Sequence, residues 1–304
     1  GILGNILKRK SRYMKVKAAA KINLMLDVVG VLPNGYHSLY MIMQSVDCYD
    51  YVRVDRTENS GIKIITADPR VPTDEKNIAY KAAQAFFDKT GICENNGIEI
   101  EIEKHIPMAA GLAGGSADGA GVIFALDKLF DTRFSTFELC EIGEKVGADV
   151  PFSIHGGTAL CTDIGSVIAP LPDLDNCYVL ICKPPVDVST LGAYKLIDEA
   201  KRLRHGDRCG MLYAMKHNDR ELMYKKAMNV FEQVIEVPQR PYLKAFMKKH
   251  GARLSLMSGS GAAIYGVFED RESAEKCFEE LKKKYDEVFL TVPCKKSVEE
   301  VFDR

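Results

Sequence analysis

Neither sign of charge is in surplus in this 304-residue chain: 41 basic residues stand against 42 acidic ones, a formal net charge of −1. That balance gives no overall pull toward nucleic acid or an anionic membrane surface, so neither is expected as a partner. No apolar run reaches the roughly 20 residues that a membrane-spanning helix requires. A C-x-x-C pair is also missing, and the nine cysteines are scattered and odd in number. Neither a disulfide framework nor a zinc site suits such spacing. Buried thiols in a reducing compartment do, and a cytoplasmic location is expected. No carboxylate–histidine cluster has metal-ligand spacing, so no metal-ligating residues are assigned. Two common phosphate motifs are absent. No lysine follows the glycines of 111–115, which excludes G-x-x-x-x-G-K-[ST], and their spacing is not G-x-G-x-x-G.

Residues 1–13 carry Lys8, Arg9, Lys10 and Arg12 after a few aliphatic residues, the reverse of a secretory leader. They are expected to be a loose arm or an appended remnant, with Met14 opening a strand-like run. The chain is long enough for two domains. Val16–Val29 and Leu39–Val54 read as strands. Residues 77–90 have helical apolar spacing, with Gly91 as a stop. Ile98, Ile100 and Ile102 alternate with Glu99, Glu101 and Glu103, as in a half-exposed strand. Helix-like sequence runs from Ser116 to Phe130, and Ser135 with Glu138 forms a capping box for another helix ending near Gly147. Pro170 and Pro172 break the pattern between 166 and 176, which sets the expected division into 14–165 and 166–304. Beyond it come a buried strand at 177–183, a helix at 190–204, short helices within 205–236, strands at 253–257 and 262–268, a helix at 271–285 and a strand at 288–292. Strands and helices mix without strict alternation, so the class is α+β.

What the sequence does have is a glycine-rich turn, Pro107–Asp118, between an expected strand and an expected helix. Glycine there lets backbone N–H groups approach an anion, and a helix N-terminus favours negative charge. The competing reading is a tight turn that merely allows close packing. The segment Pro107-Met108-Ala109-Ala110-Gly111-Leu112-Ala113-Gly114-Gly115-Ser116-Ala117 resembles the second motif of the GHMP kinase superfamily. Ala20–Leu24 and Met257–Gly261 are similar to that superfamily's first and third motifs, in the right order. Lys21–Asn23, Asn34–His37, Met43-Gln44, Gly114–Ser116 and Gly147–Phe152 together resemble the diphosphocytidyl-methylerythritol kinases within it. The chain departs from their pattern in having no basic residue within Val31–Asn34, and in having Asn34 where aspartate is usual.

The resemblance implies a two-domain GHMP kinase fold with its active site in the interdomain cleft. It also implies ATP with Mg²⁺ and a small-molecule substrate carrying cytidine diphosphate. By itself Asp149 reads equally well as a turn cap, and the resemblance makes it the general base. Lys21 is a charge in an apolar strand, costly unless paired. The resemblance pairs it with Asp149, against the alternative of a solvent-facing edge strand. Asn23, on the same strand face, is expected to hold substrate hydroxyls. Tyr36 and His37 are implied to receive cytosine, one by stacking and one by hydrogen bonding, with Tyr194 packing on the far side and Thr190 nearby. Lys104 is expected near the nucleotide, and 107–117 around its phosphates. Two alternatives stay open: another GHMP kinase, of homoserine or mevalonate type, and a non-catalytic ligand sensor with this fold.

Overall fold

Two long strands, β1 (Tyr13–Val31) and β2 (His37–Thr57), organise the computed structural model, which describes residues 12–92 and 97–302. They pair antiparallel from Tyr13↔Asp55 to Val31↔His37, with register shifts at 19/20, 23/25 and 28/30. Each shift re-aims the following side chains and bends the ribbon. The second half of β2 therefore pairs with β4 (Gly97–Glu103), which carries β3 (Gly61–Thr66) beside it, while its first half pairs with β5 (Thr158–Asp163). The hairpin partner of β5 is β6 (Val167–Pro170). Both β8 (Met228–Asn229) and β12 (Val298–Glu300) add to β1. A second, four-stranded antiparallel sheet has the order β11-β7-β10-β9, from β7 (Tyr178–Lys183), β9 (Leu254–Met257), β10 (Ile264–Phe268) and β11 (Glu287–Thr291). Two sheets with helices packed on them make the α+β class.

Local chemistry sets the helices. In α1 (Ile78–Thr90) the Asn77 side chain caps the Ala79 N–H, and Gly91 ends the helix in the left-handed conformation at φ 67°. The expected capping box of Ser135 and Glu138 opens α3 (Thr136–Glu144). Between them α2 (Gly114–Leu129) lies across β1 and β2 with its small residues buried. A short α4 (Val150–His155) follows. On the second sheet side come α5 (Thr190–Glu199), α6 (Arg208–Lys216), α7 (Arg220–Lys226), α8 (Arg240–Lys249) and α9 (Arg271–Lys282).

Four expectations need correction. The division at 165/166 falls inside the β5–β6 hairpin. Pro170 misled the reading because an edge strand tolerates proline. Of the expected arm, residues 1–11 lie outside the described residues, and Tyr13 is already paired in β1. The helix from Thr190 stops at Glu199 rather than Arg204. The helix from Ser135 stops at Glu144, and 147 instead precedes α4. No helix among the described residues is long and apolar enough to cross a membrane. The eight described cysteines are free, and burial pushes thiols such as Cys48 and Cys182 up to about 12.

Candidate active site

The glycine-rich turn is built by backbone conformation more than by its glycines. Ala109, Gly111 and Ala113 all have positive φ, at 51°, 80° and 57°. A left-handed residue at alternate positions turns successive N–H groups to one side, the arrangement of an anion-binding nest. An alanine held there is strained, which is typical of sites where geometry matters. Gly114 and Gly115 are already the first residues of α2. At Gly114 a Cβ would meet Lys104 Nζ and the Ile106 side chain, each at 3.1 Å, so glycine there lets the turn pack closely on both. The N-cap of α2, Ala113, makes no side-chain capping bond, and the first turn holds no acidic residue. The N–H groups of that turn are thus left for a ligand. Ser116 is half-buried at the start of α2, and its hydroxyl has no protein partner among the described residues.

The turn is fastened on three sides. The Lys21 N–H donates to Leu112 O at 3.1 Å, and the Ala263 N–H donates to Ala110 O at 3.0 Å. The Ser258 hydroxyl donates to Gly111 O at 2.9 Å. From below, Asp50 accepts from the N–H groups of His105 and Ile106 at 2.7 and 2.8 Å, and from Lys104 Nζ at 2.5 Å. Lys104 also donates to Asp118 at 2.9 Å. Burial works to lower Lys104, but Asp118 and Asp50 outweigh it and hold the ammonium above the ordinary lysine range. Burial, reinforced by Asp50, pushes the Asp118 carboxyl well above the carboxylate range despite the attraction of Lys104. Lys104 does reach the cavity wall, yet its ammonium is committed to Asp50 and Asp118 beneath the turn.

Around the turn lies a cavity of about 560 Å³, lined by residues 107–116, Lys21, Lys104, Asp118, Asp149, Thr190, Tyr194 and the Gly259-Ser260 turn. Asp149 stands at the N-terminus of α4 but makes no side-chain capping bond, so its carboxylate is not spent on the helix. Val150-Pro151 forms the first turn of α4, where proline is well accommodated. Lys21 is buried and donates to Asn23 Oδ1 at 2.6 Å and to Gly111 O at 2.9 Å. The expected direct pairing with Asp149 is thus replaced by two hydrogen bonds to neutral acceptors. Burial lowers the Lys21 ammonium, while Asp149 and Cys161 act through space to raise it.

Asn23 is fully buried, and its Oδ1 also accepts from the Gly259 N–H at 3.0 Å. It does not reach the cavity wall; its amide serves the protein by holding Lys21. Ala117 likewise lies inside α2. Thr190 reaches the wall, 3.4 Å from the Ser260 hydroxyl.

A second cavity of about 1020 Å³ opens from the first, sharing Leu39, Gly147, Ala148, Ile164, Thr190 and Tyr194 with it. Tyr36 and His37 line it, with Tyr36 63% exposed. His37 and Tyr194 stack directly on each other, with ring centroids 4.7 Å apart. Burial, then Asp149, raises the Tyr194 phenol. Sequence reasoning missed Asp50, Asp118 and the hydroxyl of Ser258. Asp50 did leave a signal: it stands among Cys48, Val52 and Val54 on the buried face of a period-2 strand, where a charge demands a partner.

With that geometry in hand, comparison with known proteins is decisive. The family descriptions GHMP kinases N terminal domain and GHMP kinases C terminal match residues 77–157 and 211–287. A 4-diphosphocytidyl-2-C-methyl-D-erythritol kinase of Clostridium perfringens is 43% identical over 283 residues, 91% of this chain and 97% of that one. The protein of that name in Clostridium beijerinckii is 42% identical over 280 residues, again 91% of this chain and 99% of its own. The chain belongs to this kinase family. Among solved structures, a 4-(cytidine 5'-diphospho)-2C-methyl-D-erythritol kinase superposes with a TM-score of 0.75 at 27% identity, covering 92% of this chain and 99% of its own. Homoserine kinase from Cytophaga hutchinsonii shares the fold at TM-score 0.78 and 22% identity, covering 96% of this chain and 98% of its own. The two cavities share lining residues and form one continuous cleft, and the start of α2 lines the same space as Asp149.

Proposed function

We propose that this chain transfers the γ-phosphoryl group of ATP to the 2-hydroxyl of 4-diphosphocytidyl-2-C-methyl-D-erythritol, a cytoplasmic step of the non-mevalonate route to isoprenoid precursors. Family membership supplies the reaction. The single structural observation that supports its placement is the continuous cleft, with an uncapped helix N-terminus and an uncommitted carboxylate at one end and three aromatic rings at the other. In this reading the turn 107–116 and the N–H groups of α2 hold the triphosphate, where backbone donors stabilise charge without reorganising. Asp149 orients the acceptor hydroxyl and takes its proton. Lys21, kept in place by Asn23 and Gly111, supports the ionised carboxylate and the charge on the transferring group. Tyr36, His37 and Tyr194 take the cytosine, with Thr190 at the passage between the two cavities.

A nucleotide-bound Mg²⁺ fits this donor set. The ion keeps most of its water and asks little of the protein beyond phosphate oxygens, and the unpartnered Ser116 hydroxyl is the group that would hold it. When bound, it neutralises phosphate charge. The testing experiment is ATP consumption with the cytidine substrate beside homoserine and mevalonate. Turnover on the cytidine substrate alone is expected; turnover of homoserine, or none on any of the three, overturns the reading.

A further inference from the structure

The ring of His37 is held by a residue that no part of the mechanism above uses. His37 Nε2 lies 2.6 Å from Asp198 Oδ1, across 161 residues of sequence. One face of α5 supplies both neighbours of the ring, because Tyr194 and Asp198 are one helical turn apart. Tyr194 stacks on His37 with the planes 27° apart, and is itself set by the edge of Phe231 at 5.3 Å. The ring is thus fixed on one face by an aromatic and at one nitrogen by a carboxylate. A carboxylate can only accept, so the nitrogen facing it carries the hydrogen, and the neutral ring is left with Nδ1 as an acceptor. No protein group among the described residues bonds to Nδ1.

Cytosine and uracil differ in what they offer such an acceptor. The 4-amino group of cytosine donates, whereas the 4-carbonyl of uracil only accepts. We propose that Asp198 is a specificity-positioning residue: it fixes the tautomer of His37 so that Nδ1, set against position 4 of the base rather than N3, reads a 4-amino pyrimidine and rejects a 4-oxo one. The inference rests on the cytidine reading of this same cavity. Setting two acceptors face to face leaves both unpaired, a mismatch that selects by about tenfold or more.

The test compares kcat/KM for the cytidine substrate and its uridine counterpart in wild type, Asp198→Ala and Asp198→Asn. Asp198 is 55% exposed on its side chain, so neither change removes core packing. Wild type is expected to prefer cytidine at least tenfold. Asp198→Ala is expected to lose most of that preference through a raised KM for the cytidine substrate, with kcat and the KM for ATP held. A side-chain amide can donate or accept, so Asp198→Asn should fall between. In ¹⁵N-histidine spectra, with the His37 signals assigned by their loss in His37→Gln, wild type should show a protonated Nε2 and a bare Nδ1. An unchanged base preference in Asp198→Ala, or a protonated Nδ1 in wild type, overturns the proposal. Failure of wild type to turn over the cytidine substrate would instead overturn the functional reading, and the spectra would still report the tautomer.

Discussion

Lys21 donates a hydrogen bond to the carbonyl oxygen of Gly111, 2.9 Å away and 90 residues further along the chain. That oxygen also accepts from the Ser258 hydroxyl, and the other acceptor of Lys21, Asn23 Oδ1, also accepts from the Gly259 N–H. Removing the ammonium therefore strands neither acceptor. What it does remove is a buried charge that burial holds below the ordinary lysine range.

Lys21→Met is accordingly expected to be inactive yet more stable, because an apolar side chain of similar length replaces a desolvated cation. The gain should be roughly 1–3 kcal/mol, visible as a rise in Tm of about 2–4 °C per kcal/mol. The sign with pH follows from the lowered folded value. Wild type bears the full penalty at low pH and regains stability as pH rises toward the unfolded value of 10.5. The advantage of the variant should be greatest near neutrality and shrink in alkaline buffer. A variant less stable than wild type at pH 7 would show that Lys21 holds the turn together rather than straining it.

Asp149→Ala is expected to lower kcat by about 10²- to 10⁴-fold, the range for a removed general base, while nucleotide affinity stays near that of wild type. The carboxylate makes no capping bond to α4, so the helix does not depend on it. Single-turnover rates with titrated ATP separate the two effects. Near-normal turnover in the variant would remove Asp149 from the chemistry.

Tyr36→Ala should raise the KM for the cytidine substrate about tenfold or more, as expected for a lost base-stacking surface, with the KM for ATP unchanged. Tyr36 is largely exposed, so stability should not move. A defect confined to ATP would contradict its place in the second cavity.

The sheets and the site were not equally legible. Alternating Ile98, Ile100 and Ile102, the Asn77 and Gly91 ends of α1 and the Ser135–Glu138 box are local signals, and the structure follows them. Strands that depend on distant partners left weaker traces: β3 lies parallel to β4, and β12 joins β1 from the far end of the chain. The glycine-rich turn could be found from its sequence, but not its fastening. Which carbonyl Ser258 would reach, or that Asp50 would clamp 105–106, depends on contacts 147 and 55–56 residues apart. Periodicity carries no information at that range.

Asp50 and Asp118 should separate by substitution, although both hold Lys104. Asp50→Ala leaves a buried ammonium and two backbone N–H groups short of an acceptor, and is expected to cost about 3–5 kcal/mol, read as a lower urea midpoint. Asp118→Asn should cost much less, since its carboxyl is already pushed toward the neutral form. The folded state binds that proton more tightly than the unfolded state does, so wild type loses stability as pH climbs from the carboxylate range of 3.8 through the raised value. The amide of the variant does not titrate. Asp118→Asn should therefore gain on wild type between pH 5 and pH 8, a window that leaves the raised Lys104 protonated. A gap between midpoints that is constant with pH would rule out the protonated carboxyl.

Gly111→Ala tests whether the turn's contact with the 258–259 segment sets the phosphate site. At φ 80° an alanine is strained, and its Cβ would lie 2.1 Å from Ser258 O, so one backbone must move. Gly91 provides the comparison: its φ of 67° imposes similar strain, but a Cβ there meets nothing within 4 Å. Gly91→Ala should cost only the conformational penalty of about 1 kcal/mol, with kinetics intact. Gly111→Ala should cost roughly 1–3 kcal/mol more from overpacking and raise the KM for ATP at least tenfold, because displacing Gly111 also breaks its bonds to Lys21 and Ser258. If the two variants are equally stable and both bind ATP normally, the clash is relieved without moving the turn. The anchoring of the glycine-rich turn by the 258–263 segment would then carry no weight in catalysis.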